Sequence, residues 1–207
     1  MKDHKFFEKF LDNDLDILSS ELMNRYKEIE ASKYSGTFDI ASDASWVESQ
    51  SISTAKWQQY NVFQFHLDET YSLYKAVAEM TKEACEYYNF NFDEQKYMIQ
   101  GWFNVNYRDK GKLGWHKHND YFAPVFHGYY SVNAEPSITN YKIMPDSREV
   151  DVVNKNNKAI LSELGHLHQM AEWDWDGPRI TIAYDVYPLS ILQRERMDQE
   201  QHWIPLC

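Results

Sequence analysis

Apolar positions keep one spacing up to about residue 95 and another beyond it. In residues 1–32, Phe6, Phe7, Phe10 and Leu11 share a stripe, and Leu15, Leu18, Leu22 and Tyr26 repeat every three or four residues, the period of amphipathic helices. Asn13 or Asp14 is placed to cap the second of them. Ser35 to Ser53 is small and polar around Phe38, Ile40 and Trp46, holds no lasting period, and reads as loop with room for a short strand. From Trp57 to Leu67, Phe63, Phe65 and Leu67 alternate with Gln64 and His66, which predicts a strand. Asp68 or Thr70 then caps a helix whose stripe is Leu73, Val77, Met80 and Ala84. Such a helix needs a sheet to lie on.

From Lys96 onward the period falls to two. In Tyr97–Tyr107 the positions Ile99, Phe103, Val105 and Tyr107 are apolar, whereas Gln100, Asn104 and Asn106 share the other face with Met98 and Trp102. Further strands are predicted at Gly114–His118, Phe126–Asn133, Ile138–Met144, Arg148–Val153, Lys158–Glu163, His166–Ala171 and Arg179–Tyr187. With the first they make eight, separated by Gly, Pro, Asn and Asp. That count predicts an α+β, mainly β chain built on a double-stranded β-helix, or jelly roll, with N-terminal helices bracing one outer sheet. The expected organisation is one domain over 1–207: mixed support over 1–95, a jelly-roll core over 96–188 and a tail over 189–207. The tail, helical and then extended, either covers the barrel or meets a second subunit in a homodimer.

Composition narrows the field of functions. The chain is 43% hydrophobic and 16% aromatic, enough large apolar side chains to offset the entropy of folding. With 21 basic against 32 acidic residues the formal net charge is -11, and no basic run occurs, so a nucleic-acid partner is disfavoured. No segment reads as a signal peptide or membrane span. Cys85 and Cys207 show no disulfide spacing, so a reducing compartment, the cytoplasm, is expected.

The candidate chemistry lies in two fragments. Trp115-His116-Lys117-His118-Asn119-Asp120 places His118 and Asp120 two apart, which on a strand end would point both to one face. With a distant histidine, His168, they form the two-imidazole, one-carboxylate facial triad that binds Fe(II) and leaves three positions open. Eleven residues after His168, Arg179 and Thr181 share one face of the strand RITIAYDV. A guanidinium fork and a hydroxyl there suit the distal carboxylate of a dicarboxylic cosubstrate, and Asn104 is a further candidate for that contact. His116 is the alternative ligand. His127 reads as a packed histidine and Trp173 with Trp175 as hairpin packing.

Taken together, His118-x-Asp120, His168 and Arg179-x-Thr181 resemble the pattern of the 2-oxoglutarate and Fe(II)-dependent oxygenases, in particular the small bacterial and phage-type members. There a Trp-x-Asn strand, here Trp102-Phe103-Asn104, precedes a His-x-His cluster and a Gly-x-Tyr strand, here Gly128-Tyr129-Tyr130. The resemblance spans roughly Gly101 to Pro188. It implies a jelly-roll core, Fe(II) at the triad, 2-oxoglutarate as cosubstrate with O2, and hydroxylation of a small-molecule or peptide substrate. Some members of that subgroup carry His-x-His without the carboxylate, so His116 with His118 is the competing pair. The alternatives are a cupin-like metal enzyme without 2-oxoglutarate and a non-enzymatic jelly-roll module.

Overall fold

Alternation decides the architecture of the second half of the chain, and the first half packs on the result. The computed structural model describes residues 3–31, 52–54, 61–108, 114–197 and 202–207. The expectations resting on Phe38, Ile40, Trp46, Trp57 and the side chain of Tyr26 lie outside the described residues. In chain order the elements are β1 (Phe7–Phe10), α1 (Leu15–Ala31), β2 (Ile52–Ser53), α2 (Asp68–Tyr88), α3 (Phe92–Gln95), β3 (Tyr97–Asn106), β4 (Phe126–Asn133), β5 (Ser137–Ile143), β6 (Arg148–Asn154), β7 (Lys158–Glu163), β8 (Leu167–Met170), β9 (Arg179–Pro188), α4 (Leu189–Glu195) and β10 (Ile204–Pro205). Strands dominate, and every described pairing is antiparallel.

The larger sheet has seven strands in the order β1-β7-β4-β9-β3-β10, with β2 also on β3; the smaller runs β6-β5-β8. An isolated bridge pairs His116 with His168 and so adds a short segment to the free edge of β8. Odd positions of β3 (Ile99, Phe103, Val105), with Ile180, Ile182, Tyr184 and Val186 of β9, form one buried cluster with Leu18 and Leu22 of α1 and Leu73, Val77, Met80 and Ala84 of α2. The helical stripe therefore lies on the outer face of the large sheet. Each such side chain contributes about 1.5–3 kcal/mol through burial, and Phe103→Ala should cost about 3–5 kcal/mol. A second cluster, Tyr129, Ile160 and Ala183 against Tyr141, Ile143 and Val152, fills the space between the sheets. Gly128 is required on β4, because a Cβ there would run into the Ile160 carbonyl and the Tyr184 ring.

Before β3, local structure departs from the periodic reading in three places. Residues 7–10 form an edge strand on β7 rather than a helix. The reason is visible in the packing: Phe6 joins the cluster between the sheets while Phe7 joins the one under the helices, so neighbours face opposite ways, as only a strand allows. Of the strand expected over 57–67, the described residues 61–67 hold instead a 3-10 turn at Val62–Gln64, where Asn61 accepts from Phe63 N–H, followed by His66 with φ 55. Leu67, not Asp68 or Thr70, holds the cap position of α2 without a side-chain bond; the Thr70 hydroxyl donates back to the Leu67 carbonyl at 2.9 Å. At α1 the expectation holds, since Asp14 Oδ1 accepts from Asp16 and Ile17 N–H at 3.1 Å each. The tail is helical and then extended, and β10 covers the edge of β3. No described helix is long and apolar enough to cross a membrane.

Candidate metal centre

Three strands of the large sheet present their inner faces in register. Gln100, Asp185 and His127 form one row, Trp102, Ala183 and Tyr129 the next, and Asn104, Thr181 and Ser131 the third. The small sheet faces them with Tyr141 opposite His168 and with Thr139 and Ser137 further along β5. The result is a lined interior with histidines toward one end and a guanidinium toward the other.

His116, His118 and His168 bring one ring nitrogen each to within 4.8 Å of one another. The backbone holds two of them: His116 N–H donates to the His168 carbonyl at 3.1 Å and His168 N–H to the His116 carbonyl at 2.9 Å. Each ring also has a fixed oxygen to which it donates. His116 Nδ1 faces the Gly114 carbonyl at 2.8 Å, His118 Nδ1 faces both oxygens of Asp185 at 2.9 and 3.0 Å, and the His166 carbonyl accepts from the His168 ring. A carbonyl or carboxylate oxygen can only accept, so each of these nitrogens carries the proton and the other keeps its lone pair. Burial, with the neighbouring histidines, pulls His116 down to about 4 and His168 well below its usual value, which keeps both rings neutral. Neutral imidazoles with anchored protons and convergent lone pairs are the donor set a divalent transition metal takes. The residues present fit such an ion.

Behind this trio, His127 Nδ1 donates to Asp185 Oδ1 at 2.7 Å, and its ring packs 4.0 Å from that of His118, centroid to centroid. Burial pulls His127 down to about 4. Burial opposes the charge of Asp185, but His118 and His127 outweigh it and hold the carboxyl well below the usual range. Trp102 covers both rings, at 5.3 Å from His118 and 6.3 Å from His127.

Asp120 lies elsewhere. Its carboxylate is exposed and paired with Lys117, and no metal-capable group among the described residues includes it. The strand that would have aimed His118 and Asp120 together is absent: pairing stops at the His116 bridge, and the chain bends at His118 and again at Asp120. Of the two pairs weighed, the structure brings His116 and His118 to His168, and not Asp120.

At the other end Arg179 is buried. Its Nε donates to Ser137 Oγ at 3.2 Å and its Nη2 to Thr139 Oγ1 at 3.3 Å; no carboxylate pairs with it among the described residues. Burial lowers its basicity, and a buried charge served only by neutral hydroxyls is an unfinished anion site. Two further buried groups, Tyr141 OH and Ser131 Oγ, have no partner among the described residues. Thr181 stands in register with both Asn104 and Ser131, and Asn104 Oδ1 accepts from Ser53 Oγ at 2.7 Å. His127, read from the sequence as a packed histidine, is buried and hydrogen-bonded; sequence reasoning missed Asp185, Tyr141, Ser131, Ser137 and Thr139. Parity could have found Asp185, which shares the face of Arg179 and Thr181 on β9. Trp173 is buried and sits 5.5 Å from Trp175 in the loop that joins β8 to β9 across the two sheets, where a hairpin was expected.

No family model matches the chain, and no curated protein matches it by sequence. Solved structures do match its shape. The non-heme alpha ketoglutarate dependent carbocyclase SnoK from nogalamycin biosynthesis superposes with a TM-score of 0.56 at 9% identity, over 89% of this chain and 79% of that one. The non-heme monooxygenase ThoJ, solved as a Ni complex, gives 0.58 at 9% identity, over 89% and 74%. A prolyl-4-hydroxylase from Pseudomonas putida gives 0.55 at 12% identity, over 89% and 93%. A carbocyclase, a monooxygenase and a hydroxylase on one scaffold show that the scaffold alone does not fix the reaction. The fold of this chain is that of the non-haem 2-oxoglutarate and iron oxygenases.

Proposed function

We propose that the protein is a 2-oxoglutarate- and Fe(II)-dependent dioxygenase, a hydroxylase acting on a small molecule or peptide. The observation that carries this reading is a pair of unfinished sites on one inner surface: three histidine ring nitrogens brought together at one place, and a buried guanidinium with no carboxylate partner among the described residues a short way along. His168 lies opposite Tyr141, and Thr139, which Arg179 touches, is two residues further along β5. Two strand residues span about 7 Å, a gap a five-carbon dicarboxylate can bridge.

In this reading His116, His118 and His168 hold the iron, and Asp120 takes no part. Arg179 receives the distal carboxylate of 2-oxoglutarate through its planar fork, with Thr181 and the Tyr141 hydroxyl adding hydrogen bonds and Asn104 and Ser131 completing the same row. Iron with 2-oxoglutarate supplies the oxidative decarboxylation that activates O2 for attack on a C–H bond. Trp102 packs on the rings of His118 and His127. Three histidines fill the positions that two histidines and a carboxylate would, so none is left vacant for a halide, which favours hydroxylation over halogenation. The unpaired charge of Arg179 also favours this reading over a cupin-like enzyme without the cosubstrate.

The strand order β3-β9-β4-β7 facing His116-β8-β5-β6 supports reading the core as a double-stranded β-helix, and the cluster shared by helices and sheet supports one domain. Free cysteines, Cys85 buried and Cys207 exposed, accord with a reducing compartment such as the cytoplasm. The test is anaerobic titration of the protein with Fe(II) and 2-oxoglutarate, followed by exposure to O2. A metal-to-ligand absorption band and succinate above a His168→Ala control are expected; absence of both, across a panel of amino acids and peptides, would sink the reading.

A further inference from the structure

No sequence motif points to Asp185, yet it is the carboxylate nearest the three histidines. It is nearly buried on the inner face of β9, and both of its oxygens lie within hydrogen-bond distance of His118 Nδ1 while one also meets His127 Nδ1. A neutral imidazole carries one proton and can place it on either nitrogen. Which one decides whether Nε2 offers a lone pair or a hydrogen. His116 and His168 have backbone carbonyls to fix that choice. Among the described residues, the hydrogen-bond partner of His118 Nδ1 is Asp185.

We propose that Asp185 is a positioning residue for the metal centre: by accepting from Nδ1 of His118 and of His127, it keeps the lone pair of His118 on Nε2 and aims it at His116 and His168. This rests on the reading of those three histidines as ligands. The carboxylate also stands directly behind the three imidazoles, in place of the Asp120 carboxylate expected among them. His127 is then a companion that shares the carboxylate and packs the His118 ring from behind. Removing such an orienting partner typically lowers metal affinity 10- to 100-fold without removing a ligand.

Asp185→Asn is the informative variant, because it keeps the shape and replaces one acceptor by an amide NH2. With the carbonyl kept at the oxygen that His127 shares, the NH2 takes the place of the oxygen that meets His118 alone and favours moving the His118 proton to Nε2. Two readouts on the full-length protein decide the matter. The first is Co(II) affinity under anaerobic conditions, for wild type, Asp185→Asn, His116→Ala and His168→Ala. The second is the ring-nitrogen NMR of metal-free protein, which reports the tautomer of each histidine and would not move if Asp185 merely packed. Expected are a 10- to 100-fold weaker Co(II) affinity in Asp185→Asn, loss of binding in the two histidine variants, and an Nδ1-protonated His118 in wild type that shifts toward Nε2 protonation in Asp185→Asn. Unchanged affinity in Asp185→Asn beside loss in His168→Ala overturns the proposal. So does complete loss in Asp185→Asn with wild-type binding in His116→Ala, which would make Asp185 a ligand. A wild type that takes up no Co(II) overturns the reading of the centre instead, and the NMR of the metal-free protein still decides what Asp185 does to His118.

Discussion

His116, His118 and His168, with Asp185 behind them, and His4, Glu163 and His166 near the end of β7 are built from the same residue types. They differ in where the protons are. In the first group each ring donates to an oxygen and keeps a lone pair for the common centre. In the second, His166 Nδ1 accepts from Met144 N–H at 3.1 Å, which forces the proton onto Nε2, the atom that faces Glu163 Oε2 at 3.6 Å. A hydrogen points where a metal would need a lone pair. Glu163 is meanwhile occupied, accepting from Ala123 N–H at 3.0 Å and Tyr88 OH at 3.2 Å. Burial works against its charge, but His166, His4 and the Ala123 amide prevail and hold the carboxyl well below the usual range. Ligand-type residues thus make a centre only where tautomers allow it; otherwise they make a buried polar joint, here between the segment before β1 and the β7–β8 turn.

The comparison can be broken most directly by exchanging alanine between the two groups. His168→Ala should abolish stoichiometric Fe(II) or Co(II) uptake, whereas His166→Ala should leave it intact and lower only the melting temperature; uptake lost equally in both would erase the distinction. Next in size, Arg179→Ala should weaken 2-oxoglutarate by about 3–6 kcal/mol, two charge-assisted hydrogen bonds' worth, with Co(II) affinity unchanged. Isothermal titration of the Co(II)-loaded protein measures both. The third effect is acid sensitivity of the metal-free protein. Unfolded histidines take up protons near 6.5, but His116 and His127 resist until about 4. The unfolded chain therefore binds more protons in between, and stability falls as the pH drops from about 6.5 toward 4, on the order of 3 kcal/mol per group at the limit. Urea midpoints across that range check the sign. Smallest is Asp120→Ala, which should change metal affinity by less than twofold and stability by about 0.5 kcal/mol or less, as for an exposed ion pair.

Much of the scaffold was legible in the sequence because alternation is a direct image of a strand with two different faces. β4 and β7 run from Phe126 to Asn133 and from Lys158 to Glu163, as the pattern predicts, and the inward parity of Arg179 with Thr181 appears in the register with Asn104. β1 was hidden because Phe6, Phe7 and Phe10 are apolar on both sides of an edge strand and so imitate a helical stripe. At the centre, the distant partner His168 was readable, but the choice between His116 and Asp120 depended on where strand pairing ends. That is set by a contact with residue 168, and no local pattern contains it. Asp185 was obscured for a related reason: its contact is with His118, 67 residues away in the chain.

The reciprocal backbone bonds between His116 and His168 carry one more consequence. Two amide hydrogens, one on each residue, are protected by the same single bridge, so any opening that frees one frees the other, and the two should exchange with solvent at matched rates. An ion held by both side chains would close the same door from inside, slowing both amides by one common factor that rises with its concentration. Paired exchange at these two positions would thus report occupancy of the centre without any substrate or turnover.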